Sequence, residues 1–184
     1  MSTRDRLSIP PLLRIPEAWR APVEGVSLAA YLVVEASRLD GLPLPAVLAW
    51  LGLRESVFDR VEERWSDRIA DELARDGAGT DALYQELLSH ALSLWGRRTA
   101  PLDAEIEAWM TFQRHALAAA DPGELARGLG LTAGDELRLA WLWQHRLLDP
   151  AIAARAAEAW SAPIAPLPRL ALSPLVFPPA VEPP

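Results

Sequence analysis

Three histidines, His90, His115 and His145, together with 25 carboxylates, are the side chains here that could move protons or hold a metal. Two pairings have useful spacing. Glu86 and His90 stand four apart on one predicted helix, as do His145 and Asp149, so each pair shares a helical face. A metal site needs three or four ligands, however. The chain has neither a His-Glu-x-x-His run nor the Glu-x-x-His of a di-iron bundle. Cysteine is absent, which excludes disulfides, thiolate catalysis and cysteine-bound zinc. The adjacent acids Glu62/Glu63, Asp71/Glu72 and Asp135/Glu136 diverge by about 100° on a helix and cannot share one target. They read as solvated charge. There is no Gly-x-Ser-x-Gly and no phosphate-cradling glycine loop. No catalytic, metal or cofactor residue is therefore assigned. An enzyme would require the three histidines to meet carboxylates in one pocket.

What must position any site is a phrase that occurs twice. Leu51-Gly52-Leu53 is followed by Arg60, Trp65, Arg68 and Asp71; Leu129-Gly130-Leu131 is followed at the same offsets by Arg138, Trp143, Arg146 and Asp149. Ala30/Ala108, Leu39/Leu117 and Tyr31/Trp109 extend the match upstream. Internal repetition of this kind predicts two copies of one helical unit. Gly52, Trp65, Gly130 and Trp143 are the expected structural core of the copies.

Punctuation supports helices throughout the middle of the chain. Ser27 is a good N-cap for a helix to Leu39, and Asp40-Gly41 stops it. A short helix should end at Gly52, and a long one should follow to about Arg75. That long helix carries Phe58, Val61, Trp65, Ile69 and Leu73 on one face, with Arg60, Arg64 and Arg68 among acids on the solvated remainder. Thr80 should cap a helix through Trp95, and another should span about 102–120. Asp121-Pro122-Gly123-Glu124, Thr132 with Asp135, and Asp149-Pro150 mark three further starts. No alternating strand pattern is found. The fold class predicted is all-α, with about eight helices in two pseudo-repeated units forming one compact bundle. Most of the eight tryptophans are expected to be packing residues. Prolines divide the chain into an N-terminal arm (1–24), repeat 1 (25–98), repeat 2 (99–162) and a C-terminal tail (163–184). Regular helix is not expected at either end.

Leu125-Ala126-Arg127-Gly128-Leu129-Gly130-Leu131-Thr132 resembles the first helix and turn of the helix-turn-helix DNA-binding family over about twenty residues. The resemblance would imply a recognition helix after Gly130, with Arg127 and Arg138 as phosphate contacts. Glu136 departs from it, standing where that family places an apolar residue. Residues 132–138 also set Asp135 and Glu136 against a single arginine, whereas a recognition helix needs basic excess.

All eighteen basic residues are arginine, and the net charge is −7. An acidic body repels nucleic acid and anionic membrane surfaces. The first residues lack a signal peptide's apolar core, because Pro10, Pro11 and Pro16 interrupt it, so a cytoplasmic setting is expected. The tail is too apolar for a solubilising linker. Pro166, Leu167, Pro168, Leu170, Leu172, Leu175, Val176 and Phe177 could dock on a protein partner or wrap the chain's own helices. The leading expectation is a non-catalytic adaptor, scaffold or chaperone-like protein–protein interaction module, anchored by a tail whose loss would leave folding intact. The alternatives are a helix-turn-helix regulator and an enzyme.

Overall fold

The computed structural model describes residues 15–76 and 78–175. They are mostly helical: α1 (Glu17–Arg20), α2 (Leu28–Leu39), α3 (Leu44–Leu51), α4 (Glu55–Asp76), α5 (Ala78–Leu92), α6 (Ile106–Ala118), α7 (Pro122–Gly128), α8 (Ala133–Arg146) and α9 (Pro150–Ser161). They also include a two-residue antiparallel pair, β1 (Thr99–Ala100) with β2 (Ala171–Leu172). Periodicity suggests one bundle, but the contacts divide the chain into two compact units, the first ending at Leu94 and the second beginning at Trp95. No helix among the described residues is long and apolar enough to cross a membrane.

In unit 1, Ser27 caps α2 by accepting the Ala30 amide at 3.3 Å. Gly52, at φ 68, turns the chain out of α3, and the Leu53 amide bonds back to the Leu48 carbonyl at 2.8 Å. The stripe Phe58, Val61, Trp65 and Ile69 of α4 is buried, as the 3.6-residue period requires. Tyr31 of α2 stacks against both Phe58 and Trp65, with ring centroids 6.3 and 6.2 Å away. Helix α2 also packs along α5. The Trp65 indole N–H donates to the Val26 carbonyl at 3.2 Å, just ahead of α2.

In unit 2, Thr132 and Asp135 form the capping box read from the sequence, and Asp121 and Asp149 cap α7 and α9. Gly130, at φ 78, makes the corner between α7 and α8. Leu102, Ile106, Trp109, Phe112, Leu131, Leu139 and Trp143 form the core. Helices α6 and α9 lie side by side, so that Arg155 reaches Glu107 while Arg114 reaches the Ala159 and Ala162 carbonyls.

Several expectations are corrected. Thr80 is not an N-cap: α5 begins at Ala78, and the buried Thr80 hydroxyl donates to Asp76 Oδ2 at 3.2 Å. The α-helical part of α5 stops at Leu92, and a 3₁₀ turn, Ser93–Trp95, completes it. Helix α6 starts at Ile106, not near 102, because residues 101–104 form a turn in which the Ala104 and Glu105 amides bond to the Pro101 carbonyl at 3.0 and 2.8 Å. The arm does hold one helical turn, since Pro16 precedes it, where a missing N–H costs nothing.

Candidate functional site

The α7–α8 corner is locked from beneath by charge. Asp135 is fully buried and takes a bidentate contact from Arg97, with Nε 3.0 Å from Oδ2, while Arg138 reaches Oδ1 at 2.6 Å. Arg97 also donates to the Gly130 carbonyl at 2.6 Å. Burial by itself would raise the Asp135 carboxyl. The Arg97 guanidinium, the Thr132 amide and Arg138 outweigh it and hold the group below the ordinary aspartate value. Reading Asp135 as solvated charge is thus wrong: as residue N3 of α8 it faces inward, and Arg97, from the turn before β1, supplies its counter-charge. Arg138, which a DNA-binding corner would need outward, is 13% exposed at its side chain and held by Asp135.

Toward the C-terminal end of α8 lies a cleft of about 620 Å³, formed by the turn before α6 and by α8 and α9. Arg98, Arg146 and Arg155 line it, with Asp103, Ile106 and Ile152. Arg146 lies over the Trp143 ring, 4.9 Å from its centroid, and donates to the Asp103 carbonyl at 2.7 Å. Arg155 is held by both oxygens of Glu107 at 2.9 Å. The size is that of a pocket for a small molecule or a short peptide segment.

Unit 1 carries a second titratable cluster. Arg38 bridges Glu35 at 2.9 Å and Glu62, whose Oε2 lies 2.9 Å from Nη2, tying α2 to α4. Burial pushes the Glu35 carboxyl up, and burial likewise pushes up the phenols of Tyr31 and Tyr84. Glu62 is lowered by its hydrogen bond to Arg38. The arm docks on α4. Arg60 and Arg64 pair with Glu24 at 2.8 and 3.2 Å, and Arg68 donates to the Ala21 carbonyl at 2.8 Å while lying over the Trp65 ring. The face of α4 read as solvated is therefore partly a docking face. Trp19, in the arm, is 1% exposed and gives its indole N–H to the Arg68 carbonyl at 3.3 Å. Sequence reading missed it; the available signal was a tryptophan one turn after Pro16-Glu17, a helix start.

The candidate residues fall as follows. Leu167, Leu170 and Leu172 of the tail pack on the core of unit 2, Pro168 and Leu175 are half-buried, and Pro166 is exposed. Val176 and Phe177 lie outside the described residues. The tail is fixed by main-chain bonds: the Ser173 amide donates to the Arg98 carbonyl at 3.1 Å, and His115 Nε2–H donates to the Ala165 carbonyl at 2.9 Å. His145 is instead engaged with the Trp141 carbonyl at 2.9 Å. Glu86 borders a small recess with Pro16 and Asp76 that His90 does not line. Among the described residues no three His, Asp or Glu side chains gather where they could hold a metal. Trp65 and Trp143 are buried, and Gly52 and Gly130 are left-handed.

No protein-family model matches the chain, and searches of curated proteins and of solved structures likewise returned no match.

Proposed function

We propose that this chain is a non-catalytic adaptor acting in the cytoplasm, built from two copies of one Trp-centred helical unit, with unit 2 presenting the surface for a protein partner. The duplication is supported by parallel contacts. In each unit an arginine lies over a tryptophan one turn earlier in the same helix, Arg68 on Trp65 and Arg146 on Trp143. Each of those indoles donates to a carbonyl ahead of the unit's first long helix, Val26 or Leu102.

One observation carries the partner reading. Leu117, Leu148, Trp160 and Ile164 are the exposed large apolar side chains among the described residues, and all four belong to unit 2. Three of them, Leu117, Trp160 and Ile164, lie where α6 ends beside the end of α9, as the contacts of Arg114 and His115 with residues 159–165 place them. Exposed aromatic and aliphatic side chains gathered at one end of a domain are what partner surfaces offer. The inward leucines of the tail hold Pro166 next to this end, so the tail extends the same surface.

The test is affinity purification with the intact chain and with a Trp160→Glu/Ile164→Glu variant of unchanged melting temperature. A partner retained by the first and lost by the second is expected. Equal recovery by both, or none from the intact chain, overturns the reading.

A further inference from the structure

The three arginines of the unit 2 cleft are unequally committed. Arg155 is neutralised by Glu107. Among the described residues Arg146 donates to a neutral carbonyl and lies over the Trp143 ring, with no carboxylate at ion-pair distance. Arg98 is exposed and bonds to Ser173 through its main chain, and among the described residues no carboxylate stands within ion-pair distance of its guanidinium. Asp103 is the carboxylate of the lining, and its Oδ2 accepts the Thr99 amide at 2.9 Å. A chain of net charge −7 thus places at a concave surface two arginines that have no ion-pair partner among the described residues. With three arginines against the single carboxylate of Asp103 in its lining, the recess carries an excess of positive charge that favours an anion, and guanidinium matches carboxylate geometry closely.

Unit 1 indicates the kind of occupant. There the corresponding Arg68–Trp65 pair is covered by α1, a single helical turn whose Trp19 is buried against α4 and just past which the Ala21 carbonyl accepts from Arg68. Beside Arg146 and Trp143 of unit 2 lies the cleft instead.

We propose that this cleft receives a short acidic segment of a partner protein. The segment's carboxylates would sit on Arg98 and Arg146, and a large apolar or aromatic residue would sit against the half-buried Leu142 and Ile152. The inference rests on the adaptor reading and names the chemistry of its partner.

Fluorescence polarisation of a labelled peptide, Asp-Glu-Ala-Trp-Glu amide, against the full chain at low ionic strength tests it. Saturable binding is expected, weakened about tenfold by Arg98→Gln, which removes one charge-assisted contact, and about a hundredfold when the peptide's acids become amides, which removes both. R98Q should melt with the intact chain, because among the described residues the Arg98 guanidinium makes no hydrogen bond or ion pair. No saturable binding, equal binding by R98Q or equal binding of the neutral peptide overturns the proposal. Equal binding after the peptide's Trp becomes Ala, with displacement by inorganic phosphate, also overturns it, in favour of a small-anion site. If an affinity-purified partner is kept by R98Q but lost by the Trp160→Glu/Ile164→Glu variant, the cleft fails and the adaptor reading stands. If the intact chain recovers none, the adaptor reading itself fails.

Discussion

Trp143 gives its indole N–H to the carbonyl of Leu102 across 2.7 Å in the interior of unit 2. Arg146, one turn on, takes the next carbonyl, that of Asp103. The two side chains together fix the turn that feeds α6, and with it the floor of the arginine cleft. A buried tryptophan contributes both area and a directed donor, so it specifies where the incoming chain must lie as well as filling space.

Replacing Trp143 by Phe keeps most of the ring area and removes the donor. The Leu102 carbonyl would then lose its partner at a cost of about 1–3 kcal/mol. Trp143→Ala adds a cavity and should cost about 3–5 kcal/mol. Urea denaturation of the two variants checks the order. Trp65→Phe should reproduce the smaller loss in unit 1, where the acceptor is Val26. A Phe variant as stable as the parent would show that the indole serves by area alone.

Legibility in the sequence followed the range of the interaction. The capping box of Thr132 with Asp135, the Ser27 cap and the turns at Gly52 and Gly130 are decided within a few residues, and all were readable. The helical stripe of α4 was readable for the same reason. Most of what failed needed a partner remote in sequence; the Thr80 cap is the exception, since its hydroxyl turns to Asp76 four residues back. Asp135 looks like a surface acid until Arg97 is brought against it. Arg60, Arg64 and Arg68 look solvated until the arm folds back. The tail's Leu167, Leu170 and Leu172 could equally have met a partner or their own core. The cleft was invisible because Arg98, Arg146 and Arg155 share no local pattern; they meet only once α6, α8 and α9 have packed.

Asp135 makes unit 2 sensitive to acid. Its folded-state pKa lies below the unfolded value of about 3.9, so its contribution is complete above that pH and is lost as pH falls through the lower folded value. Stability measured by denaturant at stepped pH should therefore drop below about pH 4, and Asp135→Asn should remove that part of the drop. At neutral pH the same substitution leaves Arg97 and Arg138 without their shared carboxylate, and a loss of about 3–5 kcal/mol is expected. An Asn variant as stable as the parent at neutral pH would mean that solvent compensates both arginines.

Gly52 and Gly130 occupy matching corners but do not carry equal constraints. At φ 68 and φ 78 both demand a left-handed residue, and alanine should cost about 1–2 kcal/mol at either for that reason alone. A Cβ on Gly52 would meet nothing within 4 Å, whereas one on Gly130 would stand 3.0 Å from Leu172 Cδ1. Gly130→Ala must therefore also push the Leu172 side chain aside by a few tenths of an ångström where it packs on the core. Overpacking should add at least about 1 kcal/mol. The excess should disappear when Leu172 is shortened to Ala, in a double-mutant cycle read by thermal unfolding. Truncation after Ala162 removes Leu167, Leu170 and Leu172 together and should destabilise unit 2, contrary to the expectation of a dispensable tail. Equal costs at the two glycines, with a truncated chain as stable as the parent, would show that the strap bears no weight in unit 2.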